Sequence, residues 1–138
     1  MIESTGRISQ IQGSVVDVNF PIDDTPFIYE ALSLDNDDGG RIVLEVQKLL
    51  ENGIARCVSM DSTDGVKRGT PVSRSKAPIT VPVGPGTLGR VLNVLGEPVD
   101  NKGPVDSNIF YPIHREAPSF DEQSTKVEVF ETGLKVID

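Results

Sequence analysis

The chain has 138 residues, enough for one ordinary domain with the start of another, and no apolar run approaches the roughly 20 residues that cross a bilayer. Its formal charge of −8 argues against nucleic acid as a partner, since backbone phosphates are normally met by a basic stripe. One cysteine, Cys57, leaves no disulfide framework and no cysteine-based metal cluster, and reads as a small buried hydrophobe.

Residues 1–6 carry neither a basic segment followed by an apolar stretch nor an Arg/Ser-rich transit pattern, so the expectation is a chain made in the compartment where it works. From Gly6 to Gly84 short β-type runs alternate with turn signals, the pattern of a small barrel or sandwich. About six strands are predicted, around residues 8–20, 28–34, 41–50, 54–60, 70–75 and 79–83. Val16, Val18 and Phe20 share one face, with Asp17 and Asn19 on the other. Ile42, Leu44 and Val46 oppose Glu45 and Gln47, and Asn52-Gly53 predicts a hairpin joining this strand to the next. Ile79, Val81 and Val83 form another candidate inward face, and Pro82 puts that strand at an edge or at the exit.

Past Gly84 the period changes. Leu88, Val91, Leu92 and Leu95 fall at helical spacing, with Thr87 as N-cap, Gly96 past the end and Pro98 beyond, predicting one short amphipathic helix. Residues 97–120 are rich in Pro and Gly and read as an extended linker. Residues 127–130 look strand-like, and the apolar run over residues 134–138 reads as the start of a further element.

Several patterns suggest chemistry without completing it. Gly84-Pro85-Gly86-Thr87-Leu88-Gly89 fits the dinucleotide fingerprint G-x-G-x-x-G, but it follows a β-meander and not the first strand of a βαβ unit. Extended through Arg90-Val91 it fits a kinase glycine loop, with His114-Arg115-Glu116 echoing a catalytic loop, yet the lysine strand and the aspartate base are missing. As a P-loop it lacks the Lys-Ser/Thr that contacts phosphate and magnesium. His114 is the only histidine, which excludes a two-histidine metal site. Ser119, Ser124 and Thr125 lie in no G-x-S-x-G elbow, and Asp121 and Glu122 are adjacent, facing opposite ways if extended. The acidic groups Asp35, Asp37, Asp38 and Asp61, Asp64 sit among turn residues; counting twelve places from Asp35 reaches Val46, where a calcium loop needs Glu. A free-standing barrel that stacks oligonucleotides or oligosaccharides on exposed aromatics is disfavoured by only five Phe and two Tyr in an acidic chain.

The run Val81-Pro82-Val83-Gly84, Thr87-Leu88-Gly89-Arg90-Val91 and Asn93-Val94-Leu95-Gly96-Glu97-Pro98-Val99-Asp100 closely resembles the β subunits of F-type ATP synthases. Upstream, Gly6-Arg7-Ile8, Gly13-Ser14-Val15-Val16-Asp17-Val18, Leu44-Glu45-Val46 and Met60-Asp61-Ser62-Thr63-Asp64-Gly65 resemble the N-terminal barrel of that family. Downstream, Ile113-His114-Arg115-Glu116-Ala117-Pro118 and Glu131-Thr132-Gly133-Leu134-Lys135-Val136-Ile137-Asp138 resemble its entry into the nucleotide-binding domain. The noncatalytic α subunit shares the glycine-rich passage but differs over residues 93–97 and 113–118, so the resemblance favours β.

The resemblance implies a mainly β chain: a six-stranded N-terminal β-barrel over residues 1–83, then, over residues 84–138, a short helix, a Pro/Gly-rich linker and the truncated start of an α/β P-loop NTPase domain. It implies the N-terminal part of a catalytic subunit of a proton-translocating rotary ATP synthase, with the barrel serving ring assembly beside α subunits in an alternating hexamer, attached to a central stalk and membrane sector. Mg-ATP and ADP belong to the full-length subunit. The catalytic parts of the family lie beyond the point matching Asp138, so no catalytic, cofactor-binding or metal residue is assigned here. A G-x-x-x-x-G-K-[ST] loop is expected within about 25 residues downstream. The implied location is peripheral on an energy-transducing membrane, first the cytoplasmic face of a bacterial plasma membrane, with the thylakoid or mitochondrial inner membrane as alternatives.

Overall fold

The computed structural model of the protein describes residues 5–36 and 39–137, so Asp37, Asp38 and Asp138 of the sequence reading lie outside the described residues. Six antiparallel strands form a closed barrel: β1 (Thr5–Gln12), β2 (Val15–Asn19), β3 (Glu30–Asp35), β4 (Arg41–Leu49), β5 (Ile54–Ser59) and β6 (Pro71–Pro78), in the spatial order β1-β2-β5-β4-β3-β6. Closure on the β1–β6 pair leaves no barrel strand with a free edge.

The strand count is as expected, but its membership is not. The stretch read as one strand over residues 8–20 is a hairpin, β1 and β2, reversing at Gly13-Ser14 between the paired Gln12 and Val15. The last expected strand, β7 (Thr80–Val83), lies outside the barrel and pairs with β8 (Ile109–Pro112), a strand inside the segment read as linker. Of the expected face Ile79 is buried, while within β7 it is Pro82 that is buried and Val81 and Val83 are half-buried.

The inward faces of β2 and β4 follow the alternation: Val16, Val18 and Phe20 meet Ile42, Leu44 and Val46, and Ile8, Leu32, Leu34, Ala55, Cys57 and Val72 complete one core cluster. Asn52-Gly53 forms the expected turn between β4 and β5, both residues at positive φ (61° and 74°), as a primed hairpin turn requires. A Cβ at Gly53 would also collide with the carbonyl oxygen of Phe20, so no larger residue fits. Burial pushes the Cys57 thiol up to about 12, aided by the nearby Asp17 charge.

Two ion pairs tie strands across the wall. Asp17 on β2 takes a bidentate contact from Arg56 on β5 (2.8 and 2.9 Å). Glu30, fully buried at the start of β3, takes Arg74 of β6 through Nε (2.9 Å) and a terminal nitrogen (2.8 Å). It also accepts the backbone N–H groups of Phe27 and Lys76, both at 3.1 Å. Arg74 bonds Asp24 as well.

The amphipathic helix expected over residues 88–95 does not form. Gly89 adopts φ +69°, outside the helical region, and the one helical turn nearby is a short 3-10 turn (Pro85–Thr87) that ends before Leu88. Side-chain oxygens then capture the backbone donors a helix would use: Asp100 takes the N–H of Val91, and Asn93 takes those of Leu95 and Glu97. Among the described residues no part of a P-loop domain is evident. Residues 127–130 have no ladder partner, and Val127 and Val129 are 94% and 90% exposed; an apolar alternation without a pairing edge makes no strand.

Glu30→Ala would leave the Arg74 guanidinium with the half-exposed Asp24 in place of its buried counter-charge, and would take the side-chain acceptor from the Phe27 and Lys76 amides. Urea denaturation should show a loss of about 3–5 kcal/mol, and a loss well under 1 kcal/mol would contradict the assignment. Hydrogen bonding from Arg56 holds the Asp17 carboxyl below its ordinary value of about 3.9. That lowered folded value makes its stabilisation fully present above about pH 4 and lost as the pH falls through the folded value. Denaturation midpoints should therefore fall more steeply below about pH 4 in the native chain than in Asp17→Asn.

Candidate functional site at the glycine passage and the barrel seam

The G-x-G-x-x-G passage is committed to the fold of its own chain. A Cβ at Gly86 would overlap the Asp106 carbonyl oxygen, so this glycine admits a close pass of residues 105–107 and not a pyrophosphate. The Thr87 hydroxyl donates to the Gly84 carbonyl at 2.8 Å, within the turn. Arg90, next to the loop's last glycine, meets Asp100 through two bonds (2.8 and 3.1 Å) and donates to the carbonyls of Gly103 and Pro104. Asp100 also accepts the N–H groups of Val91 and Lys102, each at 3.1 Å. The Arg90 hydrogen bond, with these two amides, holds its carboxyl far below the usual carboxylate range. Residues 90–104 are thus a stapled loop, closed further by the Leu92–Pro98 bridge.

Of the acidic groups, the described residues beside Asp35 and around Asp64 are joined by one contact. The Asn36 side-chain amide donates to the Asp64 carbonyl at 3.2 Å, while Asp61 and Asp64 bond Ser62 within their own turn. No group of three or more potential metal ligands occurs among the described residues.

His114 lies on the outside of the barrel. Its Nε2 is 3.0 Å from Glu45 Oε2, and its ring stacks on Tyr29 with centroids 3.8 Å apart and planes at 15°. Arg115 sits over the Tyr111 ring at 4.1 Å. A cleft beside them is lined by Pro112, Arg115, Ser119 and Glu122 among others, all from one continuous segment. Its serine cannot serve as a nucleophile paired to histidine, because Ser119 meets Glu122 (3.1 Å) in a capping box. The Ser119 amide, more than its hydroxyl, lowers the Glu122 carboxyl's proton affinity.

Tyr29, Glu45 and the Arg90–Asp100 pair carry no local sequence signal as partners. Alternation marked Glu45 as solvent-facing, and nothing local signals contacts 69 residues apart in the chain. What the arrangement supports is fastening: every charged group described above serves a contact within the chain.

Asp100→Ala should speed amide exchange at Val91 and Lys102, whose N–H groups it accepts, while barrel amides keep their protection. Unchanged exchange at both would show that the staple does not hold the loop.

The family model described as ATP synthase alpha/beta family, beta-barrel domain, matches residues 8–76, half of the 138-residue chain and a span covering nearly all of the closed barrel. The chain belongs to the ATP synthase alpha/beta family.

Proposed function

We propose that this member of the ATP synthase alpha/beta family is the N-terminal part of a catalytic β subunit of the F1 sector, and that its barrel serves assembly with α subunits in an alternating hexameric ring. The observation that carries the reading is the coincidence of the family match with a barrel whose strand edges are all paired. Such a module offers neighbours side-chain surface and not backbone, which suits a rigid element contacting a subunit on either side. No helix among the described residues is long and apolar enough to cross a membrane, in keeping with a peripheral sector.

The preference for β over α rests on the sequence resemblance over residues 93–97 and 113–118. Asn93 ties the 93–97 turn and His114 docks on Glu45, both within the stretches where the α-type sequence differs. On this reading the whole subunit makes ATP from ADP and phosphate, driven by a proton gradient, with Mg-nucleotide held by a later domain. Residues 1–83 are the collar, and residues 84–138 lead toward that domain.

Mixing the chain with an F-type α subunit should yield a hetero-oligomer by light scattering, and titration with Mg-ATP should give no saturable heat. Failure to associate at concentrations of about 100 μM, where weak specific pairs form, would count against the assembly role. Saturable Mg-ATP binding of millimolar strength or better would overturn the division between collar and catalytic domain.

A further inference from the structure

Glu45 combines two properties that rarely coincide. The alternation of β4 turns its side chain away from Leu44 and Val46, yet it is only 3% exposed. Gln47 and His114 reach it, with Tyr29 stacked on the far side of the contact against the His114 ring, and both carboxylate oxygens are taken. Gln47 Nε2 donates to Oε1 at 2.6 Å, and the His114 Nε2 contact occupies Oε2.

Tyr29 is unusual in its backbone. It sits at φ +69°, a region that bulky side chains rarely adopt, and its N–H donates to the Val46 carbonyl at 2.7 Å. This conformation places its ring flat on the imidazole. A strained residue that survives where a glycine would be easier has a contact to keep. The held segment continues from β8, whose neighbour Ile113 donates its N–H to Ile79 at 3.0 Å. Past Arg115 the side-chain bonds of residues 118–124 are local, joining Ser119 to Glu122, Gln123 to Pro118 and Ser124 to Lys126.

We infer that Tyr29, Glu45 and His114 form a latch that fastens the segment after β8 to the outer wall of the barrel and fixes the point from which the chain departs. Residues up to His114 move with the barrel, and the chain pivots at Arg115 or beyond. Under the proposed function this would set the hinge between collar and nucleotide-binding domain. The latch itself is read within the 138-residue chain, so its test stands whether or not the chain assembles with α.

His114 is the only histidine, so its ring resonances in a labelled sample are unambiguous. In the native chain they should be displaced from free-histidine positions by the Tyr29 ring, and the Tyr29 amide should be protected from exchange. His114→Ala should raise amide exchange at Tyr29 and Ile113, which donate to Val46 and Ile79, by at least roughly tenfold, with Val16 and Leu44 unchanged. Tyr29→Phe keeps the stack and should behave as the native chain. Tyr29→Gly relieves the backbone but removes the ring, so it should free residues 113–116 without weakening the barrel; a purely local role for Tyr29 would leave that segment unmoved. Native His114 resonances at free-histidine positions, or unchanged exchange in His114→Ala, would overturn the latch. If His114→Ala fails to fold, the native resonances and Tyr29→Gly decide the matter.

Discussion

The carboxylate of Glu30 is the constraint on which the barrel's closure turns. A sheet becomes a barrel only if strands distant in sequence pair at the seam, and here β3 must meet β6. The register slips between Glu30 and Leu32, and such a slip leaves backbone donors outside the ladder. Glu30 accepts one of them, the N–H of Lys76, which stands at φ +57° on the opposite strand. The same carboxylate accepts the Phe27 amide and binds Arg74 through two nitrogens. A buried charge is costly unless its hydrogen-bonding capacity is used, and this one is used fully. The pair therefore specifies the seam more than it adds stability. Removing Arg74 would strand Glu30 and removing Glu30 would leave Arg74 the half-exposed Asp24, while a well-packed apolar pair could replace both at less cost.

Much of the barrel was legible because β-strand alternation is a local property. Ile42, Leu44 and Val46 had only one way to face, and Asn52-Gly53 had only one common use. The errors share a cause. Residues 8–20 read as one strand because Gly13-Ser14 is a weak turn signal between two apolar stretches, and the reversal is settled by the pairing of Gln12 with Val15. β7 read as a barrel strand because its partner, β8, lies 29 residues downstream by the pairing of Thr80–Val83 with Ile109–Pro112, in a segment whose prolines suggested a linker. Pairing partners are tertiary facts, and propensity does not name them.

The glycine passage teaches the same lesson for motifs. Helical spacing at Leu88, Val91, Leu92 and Leu95 was real, but Asp100 and Asn93 offered the backbone N–H groups closer acceptors, and Gly89 took a conformation no helix contains. The pattern that matched a phosphate cradle proved to be the signature of a tight crossing, with Gly86 giving room to the Asp106 carbonyl. A motif specifies glycine for the lack of a side chain. What fills the space, a ligand or the chain itself, depends on structure beyond the motif.

Outward-facing carboxylates distinguish this barrel's wall from a simple polar exterior. Asp17 and Glu45 both lie on the face opposite the core, and both are buried because another part of the chain comes to them: Arg56 from the neighbouring strand, and Tyr29 with His114 from outside the barrel. The first contact joins strands that already pair, so it adds rigidity to the wall. The second joins the wall to a segment that has no strand in the barrel. A closed barrel has no edge by which to hold the chain that leaves it, so, beside the β7–β8 ladder outside it, the wall holds that chain through side chains on its outer face. Seen this way, Glu45 follows from closure: the fold that removes the sticky edges also needs a substitute for them, and a buried carboxylate engaged by a distant histidine supplies it.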